Sequence, residues 1–136
     1  MRKIGVGVVG LGRIGKLHAE ILKLKVNNAE LVAVSDVVES IARSMGERLS
    51  VRWYTDYDKM LKDPKVDAIV ICTPTFLHKG MIIRAAEEGK HVFVEKPLTV
   101  TTQEAKEVIS AIKKYSIKLQ VGYNRRFDYA YQKAKK

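Results

Sequence analysis

IGVGVVGLGRIG, residues 4–15, is the stretch on which the fold turns. A β-branched apolar run stops at Gly10-x-Gly12-x-x-Gly15, and a helical pattern follows. G-x-G-x-x-G alone is a common turn composition; between a strand and an amphipathic helix it has a specific meaning. Gly10 permits the tight turn, Gly12 lets the backbone approach a pyrophosphate, and Gly15 lets helix and strand pack closely. The helix N-terminus behind them offers unpaired N–H groups and about half a positive charge to phosphates. The competing reading is a turn with only a structural role.

Outward from this turn, short apolar runs alternate with helical patterns to the end of the chain. The strand candidates are residues 4–10, 30–36, a weaker 51–54, 67–73, 91–96 and 118–123. The strongest are apolar almost continuously, as strands covered on both faces are. Between them, Ile14, Leu17, Ile21 and Leu24 form one helical stripe, Leu77, Met81 and Ala85 part of another, and Ala105, Val108, Ile109 and Ile112 a third. The third opens on the capping-box pattern Thr101-x-x-Glu104, and Thr55-x-x-Asp58 offers a similar start to a short helix before Pro64. The strict β-α alternation predicts an α/β fold, a doubly wound parallel sheet of about six strands.

Asp36 closes the second strand candidate, some twenty residues beyond the glycines, where a carboxylate can accept from adenosine ribose hydroxyls. A 2′-phosphate there would bring like charges within ~4 Å, at a cost of up to a few kcal/mol at an effective dielectric of ~20. Val37 and Val38 follow, with no arginine, so NAD is expected over NADP. A helix-capping aspartate is the alternative.

Ligands on such sheets bind outside the carboxyl ends of the strands. Thr73-Pro74-Thr75 ends the fourth candidate, where Thr75 could cap the next helix, and His78 follows, either facing a cofactor or packing in place. The fifth ends in Glu95-Lys96-Pro97. A lysine there could donate to a substrate hydroxyl, or shuttle a proton if burial lowered its pKa. A structural Glu95–Lys96 pair is the other reading, and Pro97 could set the turn through a cis bond.

The bulk properties fit one domain. The 136 residues are 46% hydrophobic and 29% charged, enough for a real core. The formal charge of +10 would suit an anionic partner, but Lys and Arg are scattered apart from Lys113-Lys114, Arg125-Arg126 and the tail. A solvated basic surface is favoured over nucleic-acid binding. Cys72 is the single cysteine and sits in an apolar run, so it reads as a buried thiol in a reducing compartment. Glycines interrupt the apolar start of the chain, which argues against a signal peptide. No stretch is long enough to span a bilayer, and a soluble, cytoplasmic protein is expected.

The order GLGRIG, SD, CTPTFLH, EKPL and GYNRRFD resembles the glucose–fructose oxidoreductase and inositol 2-dehydrogenase family, over essentially the whole chain. It corresponds to that family's N-terminal Rossmann domain. The resemblance implies NAD(P)-dependent oxidation of a secondary alcohol on a sugar, cyclitol or related polyol, with no metal. Carried over, Lys96 matches the active-site lysine that hydrogen-bonds the reacting hydroxyl. Gly10, Gly12, Arg13, Ile14, Gly15, Asp36, Thr73, Pro74, Thr75, His78 and Glu95 match cofactor contacts. Asn124 and Arg125 fall where the family meets substrate. Family members continue into a second α/β domain that supplies an Asp-x-x-x-His proton relay and most oligomer contacts. No such pattern follows Arg126, and His18, His78 and His91 all lie before it.

The expectation is therefore a dinucleotide-binding domain over residues 1–123, with 124–136 leading toward a C-terminal substrate domain that the chain lacks. The expected partners are NAD, a polyol or sugar substrate, the absent C-terminal domain and further copies in a homo-oligomer, and the chain would possess half an active site. A free-standing NAD-responsive regulatory module is the main alternative, and a basic nucleic-acid-binding domain the lesser one.

Overall fold

The computed structural model describes residues 3–122. Its elements alternate along the chain: β1 (Ile4–Val9), α1 (Arg13–Leu24), β2 (Ala29–Ser35), α2 (Glu39–Leu49), β3 (Arg52–Tyr54), α3 (Tyr57–Leu61), β4 (Ala68–Ile71), a 3-10 turn (Thr75–Leu77), α4 (His78–Glu87), β5 (His91–Glu95), α5 (Thr102–Tyr115) and β6 (Leu119–Gly122). The strands form one sheet in the order β3-β2-β1-β4-β5-β6, every neighbouring pair parallel. The chain winds out from β1 to the β3 edge, crosses back to β4, and winds out to β6. The crevice between the ends of β1 and β4 is thus the switch point where such sheets bind ligands.

Two apolar layers explain the near-continuous hydrophobicity of the strands. Val6, Val8, Leu31, Val34 and Val70 pack with Leu11, Ala19, Met45 and Leu49 toward α1 and α2. Val9, Ile69, Ile71, Val92 and Val94 face the other way, against Met60, Leu61, Ile82, Ala85 and Val108. Strands sandwiched this way lose the alternation that a half-exposed strand shows.

Three local expectations are corrected. The stripe Ile14, Leu17, Ile21 and Leu24 does not face the sheet; its members are 38–73% exposed. Helix α1 buries Gly15 and Ala19 instead. A Cβ on Gly15 would stand 1.7 Å from the Gly10 carbonyl oxygen, so the helix approaches the turn more closely than larger residues permit. Helix α3 is capped by Asp56, whose Oδ1 accepts from Asp58 N–H at 2.9 Å, not by Thr55. Thr75 caps nothing: it opens the 3-10 turn, and Pro74 precedes it without a side-chain cap. The Thr101–Glu104 capping box, by contrast, is formed in full.

Candidate functional site

The glycine turn begins with backbone only glycine adopts readily: Gly10 has φ +89°, and a Cβ there would meet the Cys72 carbonyl carbon at 2.7 Å. Its N–H donates to Ser35 O at 2.9 Å, tying the turn to the end of β2. Gly12 differs. Its φ is −74°, and a Cβ would find no atom within 4 Å. Among the described residues, neither conformation nor packing demands a glycine there. The open space lies directly before α1, whose first turn contains no acidic residue to neutralise its N-terminal partial charge. Lys16 N–H closes that turn onto Gly12 O, and the N–H groups of Arg13, Ile14 and Gly15 before it have no partner within the helix.

Asp36 lies one residue past β2 and turns back into this crevice. Its Oδ2 accepts from Leu11 N–H at 2.9 Å and its Oδ1 from Val38 N–H at 2.9 Å. The second bond is a local turn; Val38, not Asp36, is the N-cap of α2. The first links the acid to the glycine turn itself, a contact that sequence spacing does not reveal. Each carboxylate oxygen retains a second acceptor site for a sugar hydroxyl. Val37 and Val38 are exposed on the rim, with no cation between them. A mainly apolar cavity of about 290 Å³ runs from Gly12 and Asp36 past Thr55 to Pro74, Leu77 and Met81. Gly10, Gly12, Asp36, Thr73 and Pro74 share that one wall.

A second cavity, about 260 Å³, continues across the strand ends. It is lined by Ile14, Thr73, Pro74, Thr75, His78, Glu95 and Lys96, with Cys72 at its base. Lys96 follows β5, its N–H donating to Gly122 O at 3.0 Å across to β6, and the bond to Pro97 is cis. Its side chain is exposed and makes no hydrogen bond or ion pair with the described residues. Glu95 does not pair with it. Glu95 Oε1 lies 2.6 Å from Nε2 of His18, a residue the sequence reading left out of the site.

His78 is 1% exposed and faces inward. Its Nε2 lies 2.9 Å from Thr73 O, and its Nδ1 lies 3.0 and 3.1 Å from Pro97 O and Leu98 O. The ring bridges the end of β4 to the loop after β5. Thr73 donates its hydroxyl to Met81 Sδ at 3.2 Å. Burial first, and the charge of Glu95 second, push the Cys72 thiol up to about 12, so it is a neutral group here. Arg13 is exposed at the mouth of the turn. Asn124 and Arg125 lie outside the described residues. Among the described residues no group of acids, histidines and cysteines could hold a metal ion, and no helix is long and apolar enough to cross a membrane.

A model described as an oxidoreductase family with an NAD-binding Rossmann fold matches residues 4–123. The chain is 43% identical over 135 residues to scyllo-inositol 2-dehydrogenase (NAD(+)) of Bacillus subtilis, covering 98% of itself and 40% of that protein. It is 44% identical over 131 residues to myo-inositol 2-dehydrogenase of Thermotoga maritima, covering 96% of itself and 39% of the relative. The crystal structure of scyllo-inositol dehydrogenase from Lactobacillus casei with bound NAD(H) and scyllo-inositol superposes with TM-score 0.92 at 35% identity, over 98% of this chain and 40% of that one. The chain thus spans about two fifths of the length of these relatives.

Proposed function

Because the chain belongs to the glucose–fructose oxidoreductase and inositol dehydrogenase family of NAD-binding Rossmann-fold oxidoreductases, we propose that it is the cofactor-binding part of a cytoplasmic NAD-dependent dehydrogenase acting on a secondary alcohol of inositol or a similar polyol. The observation that carries this reading is Gly12, a glycine that no described residue constrains, facing open space at a helix N-terminus with no acidic residue in its first turn. A diphosphate needs that approach. NAD, when bound, supplies the hydride acceptor.

The protein's own groups then divide the work. Gly10, Gly12, Arg13, Ile14 and Gly15 hold the diphosphate, and Asp36 accepts from ribose hydroxyls. Thr73, Pro74, Thr75 and Glu95 shape the wall along which the rest of the cofactor lies, and His78 holds that wall together from behind. Lys96 donates to the reacting hydroxyl, with Asn124 and Arg125 on the substrate side. Residues 1–123 form this cofactor domain; 124–136 lead to a substrate domain carrying the general base, which also makes the oligomer contacts.

Calorimetric titration of the chain and of Asp36→Ala with NAD and NADP tests the assignment. The parent prefers NAD. Loss of hydrogen bonds to a charged acceptor weakens NAD about ten-fold or more in the variant and narrows its advantage over NADP. Equal affinity of the parent for both dinucleotides would overturn the role given to Asp36.

A further inference from the structure

We propose that His18 is a positioning residue that claims the Glu95 carboxylate and so keeps it off the neighbouring Lys96 amine. The inference rests on the reading of Lys96 as the alcohol-facing donor, and adds how that amine is left available.

Glu95 and Lys96 are consecutive and both line the second cavity, so the amine is an alternative partner for the carboxylate. Here the carboxylate is drawn the other way. His18 stands on the flank of α1 that overlooks β5, and its ring packs edge-on against Phe93, with centroids 5.6 Å apart and planes at 62°. Phe93 and Glu95 are two residues apart on β5 and project to the same face. One side chain braces the imidazole while the other meets its Nε2 at 2.6 Å. An ionised carboxylate only accepts, so Nε2 carries the proton and donates. Both partners are largely shielded, their side chains 19% and 17% exposed. Shielding makes this bond stronger than a solvated contact with the exposed Lys96 would be. Lys96 is thereby left without a side-chain partner among the described residues, at the edge of the second cavity. A carboxylate swung onto it would hold the ammonium charged and occupy the donor meant for the alcohol.

The test needs neither NAD nor substrate, so its outcome is separate from the fate of the Lys96 assignment. The intact chain is acetylated briefly with an amine-reactive ester at mildly alkaline pH. Lys96 labelling is then read by peptide mass spectrometry against Lys106, an exposed lysine on α5. His18→Leu, which fills the space but cannot donate, slows Lys96 labelling about ten-fold, the effect of a carboxylate newly paired with the amine. His18→Gln, which can donate to Glu95, labels at the parental rate, and so does the double variant His18→Leu/Glu95→Gln. Should His18→Leu fail to fold, Glu95→Asp carries the comparison: its shorter carboxylate falls away from His18 and slows labelling in the same way. Parental labelling in His18→Leu or, in its place, Glu95→Asp overturns the proposal. Equal slowing in the double variant does so too, because the effect would then not pass through Glu95.

Discussion

Gly12 and Gly15 are three residues apart in one motif, yet the structure gives them unlike burdens. Gly15 is required by the protein, because a Cβ would strike the Gly10 carbonyl oxygen at 1.7 Å. At Gly12 a Cβ would meet no atom of the described residues within 4 Å. Gly15→Ala should therefore destabilise the fold by about 3 kcal/mol through overpacking against backbone. Gly12→Ala should leave stability within about 0.5 kcal/mol, as surface changes do. It should still weaken NAD about ten-fold or more, or ~1.4 kcal/mol. Thermal melts paired with calorimetry separate the two effects, and a Gly12→Ala chain that binds NAD like the parent would remove the main support for the cofactor reading. The motif was legible from its spacing. Which glycine serves the fold and which the ligand was not, since that depends on what stands opposite each Cα.

At the scale of elements, the weak third strand shows how the sheet's edge is held. Strand β3 has only three residues, but Arg52 and Tyr54 both reach Asp63, between α3 and β4. The buried carboxylate accepts from Arg52 Nη1 at 2.9 and 3.0 Å, Tyr54 Oη at 2.9 Å and Lys65 N–H at 2.9 Å. Burial pulls its pKa upward, but the donors together outweigh burial and hold it below its ordinary value of 3.8. A group lowered in the folded state adds stability above its unfolded value, and that stability is lost as pH falls through the folded value. The contribution should thus be complete at neutral pH, begin to fade below about pH 4 and be lost as pH falls through the lower, folded value. Asp63→Asn should cost about 2 kcal/mol at neutral pH, most of it from the backbone and Tyr54 bonds, since Arg52 is half exposed and its charge screened. The difference from the parent in urea unfolding should shrink on acidification; a constant difference would assign the effect to packing.

Across the whole molecule, the described titratable groups around the second cavity other than Lys96 are each already engaged or held neutral. Cys72 is raised to about 12, His78 has both ring nitrogens against backbone carbonyls, and Glu95 is taken by His18. None is placed to receive a proton from an alcohol on Lys96. The 136-residue chain should therefore bind NAD but form no NADH from myo- or scyllo-inositol above the blank, read by absorbance. Turnover by the chain alone would show that one of these groups is released when ligands bind.

The periodicity of the chain was enough to place the strands along the sequence, to expect a parallel sheet with both faces covered, and to put the glycine turn, Asp36, Thr73 and Lys96 along one edge. Parallel β-α winding leaves few topologies, and the code for it is local: apolar runs, caps and glycines. Contacts between distant segments were decided only on folding. The bond from Leu11 to Asp36, His78 strapping Thr73 to the loop after β5, and His18 reaching 77 residues along the chain to Glu95 are set by how elements far apart in the sequence stack on one another. The outward face of the α1 stripe is another such outcome, because close approach selected Gly15 and Ala19 for the interface over the larger apolar residues beside them. Local pattern specifies which elements form and in what order; which side chains meet is settled by packing distance, and no single stretch of sequence carries that.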